Sequence, residues 1–159
     1  STSRRQRQMC IRDSWYYGHF ANLPFATSPK QVGGVPLAAE AACVDWSDKL
    51  MDLTFADADA AARVFTLGGP IEQKVEVDEL RGKHAAGTAA GSVTYTQNGE
   101  TIGSVELTTA NELEPPNLLE WLAVQLDRLV RLFEGKPPTA EERIYATMPD
   151  PLSIDGWNA

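Results

Sequence analysis

Short runs of alternating polar and apolar residues occupy most of the chain before residue 114 and predict β-strands separated by turns. In the clearest of these runs, Val75 and Val77 share one face. Residues 57–62 consist mainly of Ala and Asp, which have little strand preference and are compatible with one helical turn. The runs predicted as strands lie at residues 35–37, 49–55, 64–67 and 71–80.

A β-hairpin is predicted around Asn98-Gly99. This dipeptide supplies the two positive φ angles of a type I′ turn, and it lies between Thr-rich segments at 92–96 and 101–107. Alternating threonines such as Thr94 and Thr96 are typical of a sheet that has one face in solvent.

After Pro115-Pro116, the spacing of the apolar residues changes from a period of two to a period of 3.6 residues. This change predicts one long helix over 117–134. Asn117 can cap its first turn together with Glu120, three residues later. Gly135 lies where a C-terminal glycine is expected, and the prolines that follow it forbid continuation. Seventeen residues give a helix of roughly 26 Å.

The helix is strongly amphipathic, and its apolar residues cover about half of the circumference at 100° per residue. Val124 and Gln125 are exceptions, because each lies among residues of the opposite character. The residues that we predict to contact a membrane surface or a partner are Leu118, Trp121, Leu122, Leu126, Leu129, Val130 and Phe133.

Residues 1–14 differ from the rest of the chain. Translated back into codons, the stretch from Arg4 to Ser14 fits a sequencing-library adapter that ends in a transposase mosaic end. We therefore interpret residues 1–14 as a disordered artefact that replaces natural sequence upstream of Trp15. The alternative is a genuine basic arm that neutralises phosphates.

The net charge of the remaining chain limits the kinds of partner that it can bind. Without residues 1–14 it has 10 basic and 21 acidic residues, a net charge of −11, which argues against binding nucleic acid. No segment approaches the roughly 20 apolar residues of a membrane-spanning helix. Cys43 is then the single cysteine, so no disulfide can form within the domain.

The sequence lacks the motifs of known active sites. Ser-x-x-Lys, Ser-x-Asn, Lys-Thr-Gly and Gly-x-Ser-x-Gly are all absent. Three weaker sets also lack the required spacing: His19, His84 and Cys43 for a metal, Asp57-Ala58-Asp59 for calcium, and Gly82, Gly87 and Gly91 for a phosphate. We therefore predict no catalytic residue, no metal and no cofactor, which leaves the amphipathic helix as the candidate site.

The order of several segments resembles that of a known family. These segments are Tyr17-Gly18-His19-Phe20, Gly34-Val35-Pro36-Leu37, Val75-Glu76-Val77-Asp78-Glu79-Leu80, the glycine turn at 87–93, Asn98-Gly99-Glu100-Thr101-Ile102-Gly103, Val105-Glu106-Leu107 and the helix. Together, residues 17–134 resemble the C-terminal domain of serine-type D-alanyl-D-alanine carboxypeptidases, the low-molecular-mass penicillin-binding proteins. Ala85-Ala86 departs from the family pattern, in which basic residues are common, and so does the net acidic helix.

The resemblance implies a mostly-β, sandwich-like accessory domain followed by one amphipathic helix. It also implies peripheral attachment to the outer face of the bacterial cytoplasmic membrane, near peptidoglycan. The family's catalytic residues, which release the terminal D-Ala through an acyl-serine intermediate, have no counterparts here. We divide the chain into an artefact (1–14), the end of a missing catalytic domain with its linker (15–26), the β-rich domain (27–113), the helix (117–134) and a low-order tail (135–159).

Two alternatives remain for the helix. It can dock in a groove of a protein partner, with Leu118, Leu122, Leu126 and Leu129 as anchors. It can also cover the domain's own sheet. Contact with a membrane surface is our main prediction, and these two remain as alternatives.

Overall fold

The computed structural model describes residues 14–148. Strands account for 43% of the structure and helix for 16%, so the predicted mostly-β, sandwich-like domain with one main helix is confirmed. The predictions for residues 1–13 and 149–159 lie outside the described residues. In chain order, the elements are β1 (Phe20–Pro24), β2 (Gln31–Val32), β3 (Val35–Ala42), β4 (Leu50–Phe55), β5 (Ala61–Phe65), β6 (Ile71–Val77), β7 (Ala89–Gln97), β8 (Glu100–Thr109), α1 (Leu118–Glu134) and β9 (Arg143–Ile144).

One large antiparallel sheet has the strand order β2-β3-β4-β8-β7-β6, and β9 pairs with β3. The hairpin predicted at Asn98-Gly99 joins β7 to β8, with Gln97 paired to Glu100. Asn98 and Gly99 have φ angles of 54° and 80°, which are the two positive values that a type I′ turn requires. The hairpin prediction is therefore confirmed.

A two-stranded ribbon of β1 and β5 covers the large sheet. Leu23 of β1 and Val64 of β5 are buried. The ring of Phe25, directly after β1, stacks on Tyr95 of β7 at 4.4 Å between centroids. The Tyr95 hydroxyl donates a 2.6 Å hydrogen bond to the Phe25 carbonyl oxygen, so the ribbon and the sheet share one core.

The ribbon corrects the predicted boundary after residue 26. Residues 20–26 belong to the β-rich domain, because β1 pairs with β5 along its whole length and Leu23, Phe25 and Ala26 lie in the core. The local sequence did not reveal this, since the strand that pairs with β1 lies about 40 residues away.

The prediction of a low-order tail is wrong for residues 143–147. The carbonyl oxygen of Ala38, where β3 carries a register shift, accepts hydrogen bonds from Tyr145 N and Ala146 N, both at 2.8 Å. Thr147 N donates to Thr27 O at 3.0 Å, and Gln73 Nε2 of β6 donates to Ala146 O at 3.3 Å. The tail therefore returns to the sheet after α1.

Candidate functional site

The helix α1 has the ends that the sequence predicts. The Asn117 side chain accepts hydrogen bonds from Leu119 N and Glu120 N at 3.1 and 3.0 Å, and Glu120 Oε2 accepts one from Asn117 N at 2.8 Å. At the other end, Gly135 adopts the left-handed conformation with φ 69°. Both ends of the helix are therefore satisfied by local residues and need no partner.

The helix docks on the domain through its polar side. Val124, at the centre of the polar arc, is the buried residue of α1. One turn later, Arg128 Nη2 donates a hydrogen bond to the carbonyl oxygen of Val44. The same nitrogen lies 3.5 Å from Trp46 O. Val124, the exception in the amphipathic pattern, is thus the residue that packs against the domain.

A second contact joins the polar side of α1 to the same loop. Asp127 accepts hydrogen bonds from Ser47 and from Arg131 Nε, the latter at 2.7 Å, and these two bonds, the Ser47 bond foremost, hold the pKa of this carboxyl below its usual value. We call residues 44–47 of the β3–β4 loop the seat, because their polar groups receive the helix.

The seat is itself held in place by the domain. Val44 N donates to Leu80 O at 2.9 Å, and Trp46 N donates to Cys43 O at 3.0 Å. The Trp46 indole N–H donates to Glu114 O at 3.3 Å. The carbonyl oxygens that accept from Arg128 are therefore fixed relative to the sheet.

The apolar side of α1 points away from the domain, and all seven predicted contact residues lie on it. Their exposed fractions range from 46% for Val130 to 84% for Phe133. Leu119 and Leu132, which the list of predicted contacts omitted, are 78% and 74% exposed on the same side. We call this set the outward face: Leu118, Leu119, Trp121, Leu122, Leu126, Leu129, Val130, Leu132 and Phe133.

The outward face overturns one of the three roles considered for the helix. Its side chains do not cover the domain's own sheet, because the side that meets the domain carries Val124, Asp127 and Arg128 instead. The seat was not predicted from the sequence. The signal that could have found it is Val124, a lone apolar residue with Glu120 and Arg128 one turn before and after it.

Residues 14–148 include the two histidines and the cysteine that the sequence offers as possible metal ligands. No group of three or more His, Cys, Asp or Glu side chains in this part of the chain is arranged to hold a metal ion. His84 contacts the carbonyl oxygen of Arg81 at 3.0 Å, and burial raises the pKa of the Cys43 thiol. Within the same residues, no helix has the length and hydropathy needed to cross a bilayer.

Comparisons with known proteins give a distant structural likeness and no sequence match. No family model and no curated protein matches the sequence. Among solved structures, the fold is similar to that of penicillin binding protein 5 from Haemophilus influenzae, with a TM-score of 0.43 and 14% sequence identity. The match covers 72% of this chain and 32% of the other, so this chain spans about a third of that protein's length. What supports a function is therefore the chain's own surface.

Proposed function

We propose that this chain is a non-catalytic accessory domain that rests on a membrane surface through the outward face of α1. The observation that carries the proposal is that nine large apolar side chains are exposed together while the opposite side of the helix is docked. Contiguous apolar patches of this size are rare on monomeric soluble domains and mark interaction sites. A helix that lies in the interface of a bilayer presents such a face.

The width of the outward face favours a broad apolar surface over a single partner helix. Its residues span about 180° of the helix circumference. A two-helix seam would use only Leu119, Leu122, Leu126, Leu129 and Phe133, which follow a 3-4-3-4 spacing. That seam has about two heptads, shorter than the three or four that indicate a coiled coil, and it leaves Trp121 and Leu132 uncovered. The seam nevertheless defines the rival proposal, a protein-interaction module that binds a partner helix.

The charges of α1 make apolar burial the main source of affinity. The helix carries Glu120, Asp127 and Glu134 against two arginines. Arg128 is bonded to the seat and Arg131 to Asp127, so neither is free to attract anionic lipid headgroups. We therefore expect binding to zwitterionic vesicles that depends little on ionic strength.

The wider role that we propose rests on the resemblance of residues 17–134 to the accessory domain of D-alanyl-D-alanine carboxypeptidases. In that role, the domain positions a catalytic domain at the outer face of the bacterial cytoplasmic membrane during peptidoglycan maturation. The chain itself supplies no nucleophile or base of that family, since Ser-x-x-Lys, Ser-x-Asn and Lys-Thr-Gly are absent. Its contribution to the reaction would be placement of the catalytic domain.

Co-sedimentation with zwitterionic vesicles tests the membrane contact. Burial of a large apolar side chain contributes about 1.5–3 kcal/mol, so losing two of them costs roughly 3–6 kcal/mol. The double variant Trp121→Glu/Phe133→Glu should therefore bind vesicles at least about 100-fold more weakly than the parent. Its control, Leu67→Glu/Met148→Glu, adds the same charges at apolar residues that are exposed elsewhere, and it should bind like the parent.

Two results would contradict the proposal. One is a double variant on the outward face that sediments with vesicles as well as the parent does. The other is a parent that stays in solution at all lipid concentrations but self-associates in lipid-free buffer. The second result would favour the helix-binding module.

A further inference from the structure

The docking of α1 on the seat leaves its apolar side in solvent. Turning the apolar side of the helix toward the domain would bury Leu, Trp and Phe side chains, which is favourable in itself. The helix is instead docked by an arginine, an aspartate and one valine. A contact on the polar side of α1 must therefore oppose rotation of the helix about its axis that would turn the outward face toward the domain.

Arg128 is the residue whose contacts depend most directly on the rotation of the helix. Its Nη2 donates to Val44 O and lies 3.5 Å from Trp46 O. Its Nε is buried without a hydrogen-bond partner, and its acceptors at the seat are carbonyl oxygens. A half-buried guanidinium is favourable only while its N–H groups are hydrogen-bonded, because burying an unpaired charge costs free energy.

Such a group favours one arrangement over others, because alternative arrangements leave it unsatisfied. If α1 rotated to bury its leucines, the seat carbonyl oxygens would lose their donor and lie under hydrocarbon, which costs free energy for each unpaired polar group. Asp127 would lose its hydrogen bond from Ser47 in the same motion. This free-energy cost applies to the helix with its outward face turned toward the domain, and not to the docked arrangement.

We infer that Arg128 is a positioning residue that fixes the rotation of α1 on the seat, so that the outward face is presented as a preformed, rigid surface. The inference deepens the proposed function and rests on it for its biological meaning. The rotation itself can be measured without lipid. An amphipathic helix presented in this way does not fold on binding, and it meets its target with the β domain in one orientation.

Cysteine alkylation in lipid-free buffer measures the rotation directly. Two reporters are introduced separately into a Cys10→Ser background: Phe133→Cys on the outward face and Val124→Cys on the docked side. Because these residues are 84% and 6% exposed, the reporter at 133 should react at least about tenfold faster than the reporter at 124. In the Arg128→Met variant, the ratio should fall to about threefold or less as the helix loses its fixed rotation.

Three further measurements separate positioning from general destabilisation. Cys43 is 1% exposed in the core and should stay unreactive in every variant, which shows that the domain remains folded. Arg128→Lys keeps a donor and should preserve part of the ratio. The control Arg63→Met removes the same charge from an exposed residue of β5 and should leave the ratio at the parent value.

Zwitterionic vesicles are then added to the same reporters. The expected result is protection of the cysteine at 133 in the parent. Failure of that protection overturns the membrane proposal and leaves the rotation result standing. An unchanged buffer ratio in Arg128→Met overturns the inference about Arg128, whatever the vesicles do.

Discussion

Replacing Val124 by alanine should loosen α1, whereas replacing the larger Leu126 by alanine should not. Hydropathy alone predicts the reverse, because Leu126 lies inside the apolar stripe and Val124 lies in the polar arc. In the structure, Val124 is 6% exposed and Leu126 is 65% exposed. The pair therefore tests which side of the helix meets the domain.

The magnitude follows from the groups removed. Val124→Ala deletes two buried carbon groups, worth about 0.8 kcal/mol each, or about 1.6 kcal/mol together. Alanine is a better helix former than valine, which returns about 0.5 kcal/mol. The net loss is about 1 kcal/mol, equivalent to a fivefold change in an equilibrium constant. Leu126→Ala removes groups that are mostly in water and exchanges two good helix formers, so the expected change is within about 0.5 kcal/mol.

Amide hydrogen exchange along α1 is the appropriate assay, since a docked helix can open locally without unfolding the sheet. In lipid-free buffer, protection of the α1 amides should fall about fivefold in Val124→Ala and stay near the parent value in Leu126→Ala. Protection of the β7 and β8 amides should remain unchanged in both variants. A larger loss in Leu126→Ala than in Val124→Ala would refute the docked arrangement described here.

Two predictions concern the core that the ribbon and the large sheet share. Burial raises the pKa of Tyr95 to about 12, above the unfolded value of about 10, so the stability that this phenol contributes is present below pH 10 and is lost as the pH rises toward 12. Tyr95→Phe should lower the free energy of unfolding by about 1–2 kcal/mol at neutral pH, because the Phe25 carbonyl oxygen loses its 2.6 Å donor. In urea unfolding, the difference in stability between the variant and the parent should narrow above pH 10. A difference that stays constant with pH would contradict the raised pKa of Tyr95. Gly103→Ala should destabilise the domain by about 1–3 kcal/mol in the same assay, since the added methyl group meets the Phe25 ring. Ser104→Ala, at the exposed neighbouring residue, is its control. Equal stability of the two variants would contradict the close packing of the ribbon on the sheet.

The features that the sequence predicted well are those that a few neighbouring residues determine. The hairpin turn depends on Asn98-Gly99, and the bounds of α1 depend on Asn117 with Glu120 and on Gly135. In each case the residues that satisfy the backbone are within a turn of it, so local chemistry is sufficient.

The features that the sequence missed depend on distant partners. β1 pairs with β5, and the tail residues Tyr145 and Ala146 bond to Ala38, more than 100 positions earlier in the chain. Strand pairing of this kind leaves no local signature. The outward face was visible as a stripe of apolar residues, but its direction was not, because that depends on the seat at residues 44–47.

The return of the chain to β3 after α1 has a mechanical consequence. The helix is anchored at both ends, by the connection from β8 before it and by the pairing of β9 with β3 after it. Residues 110–117 and 135–142 connect α1 to β8 and to β9, so a displacement of α1 is transmitted to the sheet through two strands. If α1 rests on a membrane as we propose, these two attachments limit how far the domain can tilt relative to the helix, in contrast to a helix that trails from a free tether.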